Sequence, residues 1–149
     1  MNPNQLGSES FAVLATYNPV SQGAATVTTG WVDARKFAMI TALLMTGVLG
    51  ASATIDAKLQ QAQDSGGTGA KDISNKAITQ LVKASNDNNQ AIINVRTEDL
   101  DVDNAFCYVR LSITVGTAAS LVAAAVLGFF ARHGIASDSN QAGVVQVVA

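Results

Sequence analysis

The chain has 149 residues, the size of one ordinary domain. It is 48% hydrophobic and only 13% charged, with 12 Gly and 2 Pro, which excludes a solvated disordered coil and a collagen-like fibre. A net charge of −2 argues against nucleic acid as a partner, since that needs a basic face.

Residues 1–10 read as a polar N-terminal arm, with no basic start or apolar core of a secretory signal. Phe11, Val13, Ala15 and Tyr17 alternate as a first strand, and Asn18-Pro19 marks a turn or kink. Ala25–Val32, rich in β-branched residues, predicts a second strand, and Phe37–Val48 a third. The clearest periodicity follows. Ala53, Ile55, Ala57 and Leu59 are apolar between polar Thr54, Asp56, Lys58 and Gln60, a strand with one wet face.

Gln61–Asp72 is a Gly-rich loop without the Gly-Lys-Ser/Thr ending that a phosphate-binding loop requires. Ala77–Val82 and Ile92–Arg96 predict further strands around a turn at Ser85–Asn89, and Thr97–Leu100 one helical turn. Ala105–Val115 is a long strand, and Leu121–Phe130 another, with Leu121, Ala123, Ala125, Leu127 and Phe129 alternating. Eight short strands separated by polar turns predict an all-β, jelly-roll-like sandwich over residues 11–136, with residues 137–149 as a C-terminal tail.

Chemistry-bearing residues are sparse. Cys107, the one cysteine, lies between Phe106 and Tyr108 and reads as a small buried hydrophobe. His133 is the one histidine and reads as a loop residue, which leaves no His-dependent triad. Asp99, Asp101 and Asp103 alternate like the start of a calcium loop. Asn104 and Arg110 stand where that loop needs Gly and a bidentate Glu, so a solvated turn is expected. No catalytic residue, cofactor or metal site is predicted, and the chain reads as a non-enzymatic binding or structural module.

Two uncharged stretches, about nineteen residues at Phe37–Ile55 and about twenty-one at Leu111–Ala131, meet the length rule for a membrane span. A two-span, holin-like protein is therefore an alternative, weakened by Gly47, Gly50 and the period-two pattern from Leu111.

Asp56-Ala57-Lys58-Leu59-Gln60-Gln61, then Lys71-Asp72-Ile73 and Lys76-Ala77-Ile78-Thr79-Gln80-Leu81, look like segments of small head proteins of tailed phages. So do Phe106-Cys107-Tyr108-Val109-Arg110-Leu111 and Val115-Gly116. Over Trp31–Arg132 the chain resembles the jelly-roll capsid cement, or decoration, proteins, from which its Ala-rich Ala118–Ala125 stretch departs. The resemblance implies a jelly roll without enzyme activity, present in many copies on the virion surface and assembled in the host cytoplasm. Its partners would be the major capsid protein and further copies of itself. A tail or connector component is an alternative, as is a glycan-binding jelly roll, which would need an exposed aromatic platform such as Trp31. The candidate interaction residues are Val144, Val145, Val147 and Val148, a β-branched run that is an aggregation hazard if left in water, together with Leu6 in the arm.

Overall fold

The computed structural model describes residues 4–148. Ten strands follow one another along the chain: β1 (Phe11–Gln22), β2 (Ala25–Thr28), β3 (Val32–Asp33), β4 (Phe37–Thr46), β5 (Thr54–Ala62), β6 (Lys71–Ala77), β7 (Leu81–Val82), β8 (Gln90–Arg96), β9 (Tyr108–Gly116) and β10 (Ser120–Ala131). The order β1-β10-β4-β8 makes one antiparallel sheet and β2-β9-β5-β6 the other, with β3 beside β9 and β7 beside β5. The chain passes from sheet to sheet, and its first long strand pairs with its last. The fold is a jelly roll.

Alternation sets the faces. In β5, Ile55, Ala57 and Leu59 are buried while Thr54, Asp56, Lys58 and Gln60 face outward, as their spacing predicts. Phe37, Ile40 and Leu44 of β4 and Leu111, Ile113 and Val115 of β9 complete a core drawn from both sheets. At one end of it Gly128 of β10 lies against Phe37. A Cβ built on Gly128 would stand 2.8 Å from three ring carbons of Phe37, so only glycine fits there.

Several expected boundaries shift for identifiable reasons. The Ala25–Val32 strand is interrupted, because Thr29 Oγ1 accepts a hydrogen bond from the Leu111 amide at 3.0 Å and a side chain replaces the ladder. In place of a strand over Ala77–Val82 there are β6 and the two-residue β7. β6 has one buried residue, Ile73, and is pinned by Asp72 to Lys58 and Gln60, so its pattern resembles that of a loop. The β9 strand begins three residues later than Ala105, which takes a left-handed φ of 63° after a short 3₁₀ turn. Asn18 and Pro19 fall at a register shift of β1, where the lost amide costs no ladder bond. Cys107 is half-buried rather than buried, its thiol 3.5 Å from the Gln63 carbonyl. The alternating row from Leu121 to Phe129 is the outer one, and the buried row of β10 is Val122, Ala124 and Val126.

At the termini, Gly7–Ser10 forms a single helical turn, α1, with the Glu9 carboxylate accepting from the Leu6 amide at 2.9 Å. After β10 the chain returns in a 3₁₀ turn at Ala136–Ser139 and docks on the edge of β1. There the Val13 amide donates to Asn140 Oδ1 at 2.8 Å, and the Gln141 amide to the Val13 carbonyl, also at 2.8 Å.

Acidic side chains fasten the loops. Asp33 is held below its ordinary 3.8 by hydrogen bonding from Arg35, Asp72 by Lys58, Asp87 by Lys83 and Asp101 by Lys71. A carboxylate whose folded pKa is depressed stabilises the fold above its unfolded pKa and loses that contribution as pH falls through the folded value. The melting temperature is therefore expected to hold between about pH 7 and 5 and to fall below about pH 4. Calorimetry across pH 2–7 checks this, and a melting temperature unchanged or rising below pH 4 would contradict it.

Candidate interaction surface

The sandwich presents two outer sheet faces of opposite character. On the β2-β9-β5-β6 sheet the outward residues are polar and tied to each other. Thr26 and Thr114 hydroxyls lie 2.8 Å apart, Arg110 Nε donates to Gln60 Oε1 at 2.9 Å, and Lys58 pairs with Asp72 at 2.7 Å. Such a face is at home in water.

The outward face of the β1-β10-β4-β8 sheet is largely apolar, with its polar residues mostly on the β8 side. Register sets its rows: Phe11, Phe129 and Met39 end at Arg96, Val13 and Leu127 meet Thr41 and Asn94, and Thr16 leads to Ala125, Leu43 and Ile92. A further row carries Ala123, Met45 and Gln90, with Leu121 beyond it. Ile92 is 62% exposed, Leu121 47% and Met45 41%. The rings of Phe11 and Phe129 lie 5.8 Å apart. Arg96 at the corner is occupied with Glu98 at 3.2 Å. Thr41 and Asn94, hydrogen-bonded at 2.8 Å, break this face, and an outer surface so rich in exposed apolar side chains is a candidate for contact with a partner.

This face also accounts for the greater part of the two uncharged stretches, β4 in the first and β10 in the second. β4 and β10 are the two inner strands of the sheet, lying side by side. One side of each packs into the sandwich and the other forms the apolar face, so neither needs a charge on either side. Among the described residues no helix is long and apolar enough to cross a membrane. Patterning found the strands but not the outward direction of so many apolar residues. The signal was the long run without charge.

At the Phe129 end the apolar surface continues around an open cavity of about 790 Å³, walled by Phe129, Phe130 and Ala131 on one side and Gln5, Glu9 and Ser10 on the other. Leu6, on the segment that leads into α1, is 47% exposed, and Phe130 is 67% exposed with a left-handed φ of 55°. Val144, Val145, Val147 and Val148 lie past the docked Asn140–Gln141 segment and outside any strand, with Val145 92% and Val148 81% exposed. Leu6 and the valines are thus at the surface.

Other sequence features are occupied internally. The Arg110 guanidinium covers the Trp31 ring at 4.3 Å from its centre, and Gly67 (φ +88°) packs so close that a Cβ would stand 2.8 Å from Trp31 Nε1. Trp31 is therefore not an open platform. Asp99 pairs with Lys76 at 3.3 Å and receives the Arg96 amide, while Asp101 pairs with Lys71 and accepts from Asn104. His133 sits in the exposed loop after β10.

No family model and no curated protein match the chain. Solved structures of similar shape include a broad bean stain virus chain (11% identity, 78% of this chain and 62% of that one, TM-score 0.41). A cowpea mosaic virus empty virus-like particle chain is similar at 10% identity, over 92% of this chain and 88% of that one, with a TM-score of 0.43. So is the CBM22-1 xylan-binding domain of Paenibacillus barcinonensis Xyn10C, at 13% identity over 83% and 88%, with a TM-score of 0.41. The chain spans 62% of the broad bean stain virus chain and 33% of a matched infectious bursal disease virus chain. TM-scores at this level decide no function.

Proposed function

We propose that this chain is a non-enzymatic structural virion protein that binds the outside of a tailed-phage head and cements neighbouring capsomers. The observation that carries the proposal is the apolar outer face of the β1-β10-β4-β8 sheet, built from the two inner strands and set opposite a polar face. A module with one face to bury and one face for water is suited to lie on a lattice. The resemblance of its β5, β6 and β9 segments to capsid cement proteins supports reading that lattice as the major capsid protein's. A contact of this kind needs more than about 1,000 Å² of buried surface, and engaging two capsomers at once multiplies individually modest contacts. The protein would be made in the host cytoplasm and end on the virion.

The test is binding of the purified protein to heads that lack it, read by co-sedimentation. Binding at copy numbers comparable with the major capsid protein is expected. Met45→Lys with Leu121→Lys should lower affinity at least tenfold, while each exposed substitution changes stability by about 0.5 kcal/mol or less. No binding to heads, or only a handful of copies at one vertex, would overturn the cement reading, and the latter would favour a connector component.

A further inference from the structure

We propose that the Val144–Val148 segment of one copy adds as a fifth strand to the free edge of β8 in a second copy. This deepens the proposed function and rests on its premise that the chain acts in many copies. The first observation is the segment itself. Gln141 is tied to β1 and the Val144 amide turns back to the Gln141 carbonyl at 3.0 Å, but among the described residues Val145–Val148 have no backbone partner, and Val145 and Val148 are almost wholly exposed. Strand-forming valines in that state present an edge-seeking segment.

The second observation is that, among the described residues, Gln90–Val95 of β8 is the longest stretch of sheet edge without a protecting device. The outer half of β1 carries Pro19 and a register shift, and its inner half is taken by Asn140 and Gln141. β2 has only four residues. The β6 edge has Lys71 and Lys76, a left-handed Asn75 (φ 59°) and a register shift against β5. Charges, prolines, bulges and short strands are the usual means of keeping an edge from pairing. In β8, Ala91-Ile92-Ile93-Asn94-Val95 has none of them, and among the described residues its backbone pairs only with β4. The Lys76–Asp99 pair flanks its far end, which leaves Gln90–Asn94 as the open length.

Reach decides which copy donates. Gln141 lies one strand spacing outside β1, and a strand added beyond β8 would lie five spacings away, about 24 Å. Val144, three residues after Gln141, extends at most about 10 Å from it, and Val148 only just spans the gap. The valines of a chain therefore cannot lie on that chain's own β8. Added to a second copy, either register sets two valines beside Ile92 and extends the apolar face by a strand, with backbone bonds for affinity and side chains for fit. The contact is head-to-tail, so it propagates to a ring or an open chain of copies.

The experiment uses the purified full-length protein without heads. Sedimentation velocity across concentrations should show an oligomer. Val145→Pro with Val147→Pro should abolish it and leave the melting temperature of the sandwich unchanged. In a Cys107→Ser background, chains carrying Asn94→Cys and chains carrying Gln146→Cys, once mixed, should be joined by a short bis-maleimide, whereas one chain carrying both should not link to itself in dilute solution. A monomer at every concentration, an oligomer that survives both prolines, or a link within one chain would each overturn the proposal. Head binding is measured separately, so a monomer that still decorates heads would overturn strand exchange and leave the cement reading intact.

Discussion

Phe37→Ala is expected to lower the unfolding free energy by about 3–5 kcal/mol, measured by urea denaturation. Phe37 opens β4 with its side chain fully buried, and its ring lies in the space that Gly128 leaves on β10. The converse substitution tests the same fit. Gly128→Ala drives a methyl to 2.8 Å from the ring and should cost about 1–3 kcal/mol through overpacking. The double variant should cost less than the sum, because the methyl then enters the cavity left by the ring, with a coupling of about 0.5 kcal/mol or more. Strict additivity would mean that the two residues do not share that space.

Leu59→Ala is expected to cost about 2–5 kcal/mol, while Lys58→Ala, one position earlier, should change stability by less than about 0.5 kcal/mol. Leu59 is fully buried between the sheets. Lys58 points out with its side chain 43% exposed, and its ion pair with Asp72 is screened by water. Thermal melts of the two variants compare neighbouring residues of one strand that differ only in the face they occupy. The reverse order would place β5 one residue out of register, since a slip of one exchanges its two faces.

The strand and the face of Leu59 were legible because β5 alternates from Thr54 to Gln60, breaking only at its end, where Gln61 and Ala62 are both buried. β10 was legible as a strand but not in its direction. Leu121, Ala123, Ala125, Leu127 and Phe129 alternate with Val122, Ala124, Val126 and Gly128, so both rows are apolar and periodicity has no contrast to read. Only pairing with β4, where Ala124 meets Leu44 and Val126 meets Ala42, separates them. β6 escaped for the opposite reason. A strand at an edge with Ile73 as its one buried residue carries almost no hydrophobic signal, and its placement comes from Asp72 reaching Lys58 and Gln60 across the sheet. The apolar face was hidden by the same lack of contrast. A run without charge is equally what a buried helix, a membrane span and a two-sided strand require.

The position of β10 between β1 and β4 sets an order on synthesis. β1 leaves the ribosome early but has no sheet partner until residues some hundred positions later have been made, because Phe11 pairs with Phe129 and Gln22 with Ser120. Until then β4 has only β8 beside it and shows apolar side chains on both sides. Pairings so distant in sequence are slow to form, and an unpaired strand that is greasy on both sides is prone to meet another nascent chain first. The sheet with the apolar outer face is therefore also the part of the fold whose strands wait longest for their partners during translation.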